Sequence, residues 1–408
     1  MKLSIWVYKI DMYGSKRMKM KNKLKVDVKQ LLLVFVIMPF LKPYNVTLIP
    51  MLDCIFKTWK VVSTTYIICT FFSKKQRVCR TSIYLLLFCF IWMISLILNS
   101  GPIVDYCNNI LSILGCRFLF ETNKDNDLFK ERISKIMYTI GAVYMALNCM
   151  TAWMGHPFFA AEMNLDDNAN FLGGDNYSAF ILIVLSGLMF FYDVKYIKRI
   201  RLNTWIFNIM GLTSLIIPFA FTGIVSYVFL MMLVLCINYK FVRKLFNWKN
   251  ILLICGFMVL LISYFHLDVV VSSFLGKVDK IGFNGRNMIW PRSIKAINNK
   301  FIIGYGGLTA KQAETWIIAG ANHTHNILLQ IPFSTGILGT FFFVLYLSLT
   351  LKNTMKNRDR AINILLMTLS AFILCSIFDF YMGLIYMYIL FDFIWINKKR
   401  KMNQEKRP

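Results

Sequence analysis

The sequence predicts an all-α, polytopic integral membrane protein of about 12 transmembrane helices with one large extracytoplasmic loop. Three observations lead there. The 408 residues are 57% hydrophobic and only 16% charged, whereas soluble chains keep roughly a quarter of their residues charged. Apolar residues fall in runs approaching the ~20 needed to cross a bilayer. The basic residues gather in short clusters between those runs, as the positive-inside rule requires.

In chain order, residues 1–29 form a lysine-rich tail without the short apolar core of a cleaved signal peptide, so a cytoplasmic tail is expected. Met18 or Met20 could serve as the start. Spans are predicted near 31–50, 58–73, 81–98, 103–120, 133–152, 177–193, 204–219, 221–238, 250–266, 326–350, 362–378 and 381–396. Pro218 and Gly223 lie at the joint of 204–219 and 221–238, so these could be broken or re-entrant helices. The membrane domain, 30–396, contains two long outer loops, 153–176 and 267–324, and a basic tail, 397–408, closes the chain.

With the N-terminus inside and the spans alternating, inner segments carry 34 of the 46 Lys and Arg residues, while 153–176 carries none. Loop 267–324 carries seven, and long translocated loops obey the rule weakly. Both termini are therefore expected in the cytoplasm. A net charge of +26 would suggest nucleic acid in a soluble protein. Here the clustering between spans accounts for it, and no nucleic-acid partner is expected. The ten cysteines lack a CxxC pair and read as small buried hydrophobes.

All four histidines, His156, His266, His323 and His325, fall on the outer side or at its boundary, which directs attention there. The run Gly285-Arg286-Asn287-Met288-Ile289-Trp290-Pro291-Arg292 begins the second half of the long loop. Pro291 suits a first helical turn, so a helix is expected from about Trp290 to Lys300. Trp290, Ile294, Ile297 and Phe301 would share one face, with Arg292, Lys295 and Asn299 opposite. Such a helix can lie on the bilayer, basic face toward an anionic head group, or simply pack on the bundle. Gly304-Tyr305-Gly306-Gly307 follows: its glycines allow close approach to a ligand, or only a turn back toward the membrane.

Asn322-His323-Thr324-His325-Asn326 marks the return to the membrane. A histidine there can take a proton from a sugar hydroxyl or hold a phosphate oxygen. Two histidines without an acidic or cysteine ligand nearby make a poor metal set, so no metal is expected. Loop 153–176 offers Glu162, Asp166, Asp167 and Asp175 and no cation, and its end, Gly173-Gly174-Asp175-Asn176-Tyr177, opens the sixth span. It can hydrogen-bond sugar hydroxyls or be merely solvated. Lys42, between Pro39 and Pro43, is a functional suspect at membrane depth unless it snorkels. Arg117, near an inner helix end, is expected to snorkel.

At these residues the chain resembles the O-antigen ligase and Wzy-type polysaccharide polymerase superfamily. The resemblance rests on Gly285-Arg286 with Trp290, on Gly304-x-Gly306, and on His325-Asn326 with Leu329, Gly336 and Gly339. Roughly the last 230 residues follow that layout, including Gly174-Asp175-Asn176. The first 170 match only as apolar helices. The sequence departs where ligases commonly carry a Ser-Arg pair in the middle helices: here the stretch reads Phe221-Thr222-Gly223-Ile224-Val225-Ser226, which points to a polymerase.

The resemblance implies a place in a bacterial inner membrane and an undecaprenyl-diphosphate-linked donor, with no cofactor, no metal and no nucleotide sugar, and a flippase and a chain-length regulator as partners. It implies that Arg286, with Arg292 and Lys295, neutralises the departing diphosphate. His325 would be general base or a second diphosphate contact. His323 and Asn326 would orient it, and Trp290, Gly304, Gly306, Asp175 and Asn176 would complete the substrate site. Two other readings stand beside the polymerase: a ligase-type glycan transferase, and a flippase for the same lipid-linked units. Against the flippase, no internal repeat of the kind common in transporters is visible.

Overall fold

The computed structural model describes residues 4–6, 23–25, 27–158, 169–239, 241–242, 250, 253–254, 257, 286–318, 321, 323–352, 354 and 359–398. Several expected features lie outside these residues: most of the 250–266 span, His266, Glu162, Asp166, Asp167, Gly285 and most of both tails. A short antiparallel pair, β1 (Ser4–Trp6) with β2 (Lys23–Lys25), precedes the helices.

The apolar runs become helices: α1 (Val28–Ile37), α2 (Tyr44–Thr47), α3 (Pro50–Ser73), α4 (Arg80–Leu98), α5 (Ile103–Thr122), α6 (Asp127–Met154) and α7 (Asp175–Tyr192). Then follow α8 (Leu202–Ile216), α9 (Phe221–Leu235), α10 (Arg286–Asn299), α11 (Ala310–Trp316), α12 (Ile327–Leu351), α13 (Arg360–Phe378) and α14 (Ile385–Asn397). Among the described residues, seven helical segments are long and apolar enough to cross a membrane. The protein is an all-α polytopic membrane protein.

One predicted span changes form, and one joint is resolved. Residues 31–50 do not make one helix: α1 stops at Ile37, a 3₁₀ turn covers Met38–Leu41, and α2 is four residues long. Pro39, Pro43 and Pro50 each lack an N–H, so no continuous helix can pass them without losing bonds. The 204–219 and 221–238 runs are two separate helices packed together, α8 and α9, joined by a turn with Phe219 at φ +57°.

The basic segments meet at one end of the bundle. There Arg132 pairs with Asp27, the Cys79 N–H donates to Glu121, and a cleft of about 900 Å³ includes Lys130, Lys195, Lys198, Arg199 and Arg360. The helix ends at 99–103, 217–220 and 379–384 lie at the opposite end, together with α10 and α11. Helices α7 and α13 join the two ends: α7 starts where α13 finishes, and both are packed on all sides.

Arg117 does not snorkel. It is 1% exposed, its Nη1 lies 2.7 Å from Asp392 on α14, and its Nε donates to Ser82 on α4 at 2.6 Å. The guanidinium also sits over the Trp395 ring at 3.9 Å. A charge this far from solvent persists only with such partners, and here they tie α4, α5 and α14 together. Not every cysteine is a buried hydrophobe: Cys54 and Cys69 on α3 are exposed.

Candidate active site

Helix α12 carries the site. Asn326 caps it, accepting from the Leu328 N–H at 2.8 Å, while its own Nδ2 donates to the Ile377 carbonyl of α13 at 2.8 Å. The residue just before the cap is forced into a tight turn, with His325 at φ +52°. Thr324 holds the turn from the other side: its N–H donates to Gln330 Oε1 at 2.8 Å. Asn326 is therefore a structural cap, fully buried, and acts on His325 only by fixing its backbone.

The turn aims both histidines at one carboxylate. Asp379, first residue beyond α13, places Oδ1 at 3.2 Å from His323 Nε2 and 3.0 Å from His325 Nδ1. The Phe380 N–H donates to the same oxygen at 2.9 Å. The imidazoles lie 3.9 Å apart, and His323 faces the Tyr381 ring at 4.7 Å. Burial pushes the Asp379 carboxyl up, but the hydrogen bonds from His323 and His325 outweigh it and hold the group well below the usual carboxylate range. Burial lowers the His323 imidazole despite Asp379, so His323 is neutral near pH 7. An anionic Asp379 on His325 Nδ1 fixes the proton there and leaves Nε2 as the basic nitrogen.

A cleft of about 230 Å³ opens beside this carboxylate, lined by Asn176, Tyr177, Arg286, His325, Asp379 and Tyr381, with Gly174 at its rim. Arg286 begins α10. Its Nε is buried without a hydrogen-bond partner among the described residues, and burial pulls its guanidinium below the ordinary value while Asp379 opposes that. A desolvated donor facing a cleft is a site prepared for an anion.

The remaining expected site residues divide. Asn176 lines the cleft, and Asp175 opens α7 beside it, its side chain outside the described residues. Helix α10 starts at Arg286, earlier than predicted, so Pro291 lies inside it. Its buried face, Ile289, Trp290, Ser293 and Ala296, packs on Tyr305, Ala313, Ile317 and Phe333 instead of on the bilayer. Phe301 is 54% exposed, past the end of the helix. Arg292 donates to the Ile317 carbonyl at 2.9 Å, tying α10 to α11, and Lys295 is exposed. Neither lines the cleft.

Gly304 and Gly306 do not line it either. The Tyr305 and Gly306 N–H groups donate to Phe333 and Ser334 at 2.8 Å, where α12 is broken by Gly336 at φ +59°. A Cβ on Gly304 would come within 2.6 Å of the Gly336 nitrogen, so these glycines let two backbones touch. Sequence reasoning missed Asp379 and Tyr381. The available signal was Asp379 as a solitary acid between two apolar runs. With it, the histidines acquire the acidic neighbour that the earlier argument against a metal assumed absent, and three ligand atoms lie within 4.8 Å of one another. The neighbouring Arg286 guanidinium opposes a second cation there.

Residues 175–344, from the start of α7 into α12, match the family described as O-antigen ligase. That segment is similar to the O-antigen ligase family. It contains Arg286, His323 and His325, while Asp379 and Tyr381 come from the chain beyond it. The O-antigen ligase family places the protein among membrane enzymes of the ligase and polymerase type, which transfer glycans in polysaccharide biosynthesis on lipid-linked substrates. No curated protein and no solved structure matches the chain.

Proposed function

We propose that the protein is a polysaccharide polymerase, transferring a growing glycan from an undecaprenyl-diphosphate-linked donor to a hydroxyl of a second lipid-linked repeat unit on the extracytoplasmic face. The observation that carries this reading is the pairing, in one cleft, of a desolvated Arg286 with a His325 oriented by Asp379. The acceptor hydroxyl gives its proton to His325 Nε2 as its oxygen bonds to the donor's anomeric carbon. The bond from that carbon to the diphosphate oxygen breaks, its electron pair leaves with the diphosphate, and Arg286 stabilises the departing anion. Asn176 and the tyrosine hydroxyls are suited to sugar hydroxyls. All groups this step requires are side chains, so the reading needs no metal.

The polymerase reading rather than a ligase one rests on the absence of the Ser-Arg pair at 221–226. The test is incubation of the purified protein with a lipid-linked repeat unit alone. A ladder of longer lipid-linked glycans is expected. Transfer only when a different acceptor is added would mean a ligase, and movement across vesicles without bond formation a flippase. A flippase and a chain-length regulator are the partners this reading calls for.

A further inference from the structure

A second cationic centre lies one layer from the cleft, on the break between α1 and α3. The Leu41 carbonyl accepts from Tyr144 on α6 at 2.8 Å. Tyr144 lies 17 residues along a 28-residue helix, about 25 Å from the basic end at 1.5 Å per residue. In a hydrocarbon core ~30 Å thick, that level is close to the boundary on the side of the cleft. Irregular backbone at such depth survives only when buried in protein or lining a polar cavity.

Three lysines lie there near one acid. Lys42 and Lys57 both pair with Asp53, Lys57 at 2.9 Å. Lys60, one turn further along α3, is 6% exposed and has no ion pair among the described residues. Asn45 is 5% exposed and its Oδ1 has no hydrogen-bond partner among the described residues. Among the described residues the group thus carries excess positive charge, three lysines against Asp53 and the more distant Asp105, at a depth where such charge is costly. It adjoins the cleft through Gly173: the Asn45 N–H donates to the Phe171 carbonyl at 3.0 Å, and a Cβ on Gly173 would lie 3.0 Å from the Tyr177 ring and 3.5 Å from Tyr44. Tyr177 is a wall of the cleft.

We infer that Lys42, Lys57 and Lys60 bind the diphosphate of a second lipid-linked chain, the one whose glycan reacts opposite the chain held by Arg286. The inference rests on the polymerase reading, in which both substrates carry a lipid diphosphate and two anionic head groups must be held at once. Lys60 is its centre, because it is the buried member without a carboxylate.

The test is native mass spectrometry of the protein in phosphatidylcholine nanodiscs, with geranylgeranyl diphosphate as the probe. Two bound copies are expected for the wild type, one each for Lys60→Met and Arg286→Ala, and none for the double variant. Lys60→Arg, which keeps the charge, should retain two. Lys60→Met that still binds two copies overturns the inference, as does a wild type that binds one. Displacement of the second copy by inorganic diphosphate or phosphatidylglycerol as readily as by the probe also overturns it, since the site would then be a general anion site. Arg286→Ala retaining both copies counts instead against the polymerase reading.

Discussion

Asp379 gives His325 a direction that histidine alone lacks. Replacing His325 by Ala is expected to cost about 100- to 10,000-fold in polymerisation rate, the usual worth of a general base. Asp379→Asn should lower kcat comparably with little change in KM, because an amide can hold the ring with its proton on the wrong nitrogen. A purified-enzyme assay with both variants at wild-type membrane levels separates these outcomes from misfolding. Asp379→Asn at full activity would remove the orienting role. The pH dependence follows from the directions of shift. Asp379 lies below its ordinary 3.8 and His323 below its ordinary 6.5. In both cases the unfolded chain binds more protons than the folded one in the window beneath the ordinary value, so stability rises with pH there. Melting temperature should therefore fall as pH drops below about 6.5, and less steeply in His323→Gln; an equal slope in both would contradict the buried, neutral His323.

At the scale of elements, the loop reaches the bundle through backbone, not side chains. The turn segment 301–306 bonds both arms of the α12 break, the Ile337 N–H donating to the Phe301 carbonyl and the Tyr305 N–H to the Phe333 carbonyl, each at 2.8 Å. Gly336→Ala would put a Cβ 2.3 Å from the Ile302 carbonyl group at a positive φ. It should undock α10 and Arg286 from the cleft, abolishing activity while the protein still inserts; limited proteolysis between α10 and α12 reads the undocking directly. Arg117→Ala should act differently. It strands Asp392 and the shared Ser82, at a cost of about 3–5 kcal/mol for a broken buried pair, and should appear as a lower melting temperature with no selective effect on substrate binding.

Across the whole molecule, the cleft and the basic end are separated by the length of α7 and α13. Those helices are 18 and 19 residues long, about 27–29 Å, which is the thickness of the hydrocarbon core. If the basic end is cytoplasmic, a cysteine at Lys311 in a cysteine-free background should label with an impermeant reagent in intact cells. One at Lys124 should label only after permeabilisation. The reverse result would put the cleft in the cytoplasm and remove it from the lipid-linked substrate. Chelation by EDTA should leave the purified activity unchanged; recovery of lost activity by added divalent cation would reassign His323, His325 and Asp379 as ligands.

The sequence by itself determined the helical membrane fold, since apolar run length and the scarcity of charge leave a bilayer as the only solvent for such a chain. It also carried the resemblance to the O-antigen ligase family over residues 175–344 and marked two residues of the cleft, Arg286 and His325, because both fall within one loop and its return to the membrane. Tertiary structure alone decided what those residues meet. Asp379 is 54 residues from His325, and no periodicity links a loop histidine to the end of a helix two elements later. The same holds for Arg117 and Asp392, 275 residues apart, and for the glycines, whose motif reads alike whether the close neighbour is a ligand or another backbone. Hydropathy records which solvent each residue prefers, while the partner of a buried polar group is fixed by packing between distant helices.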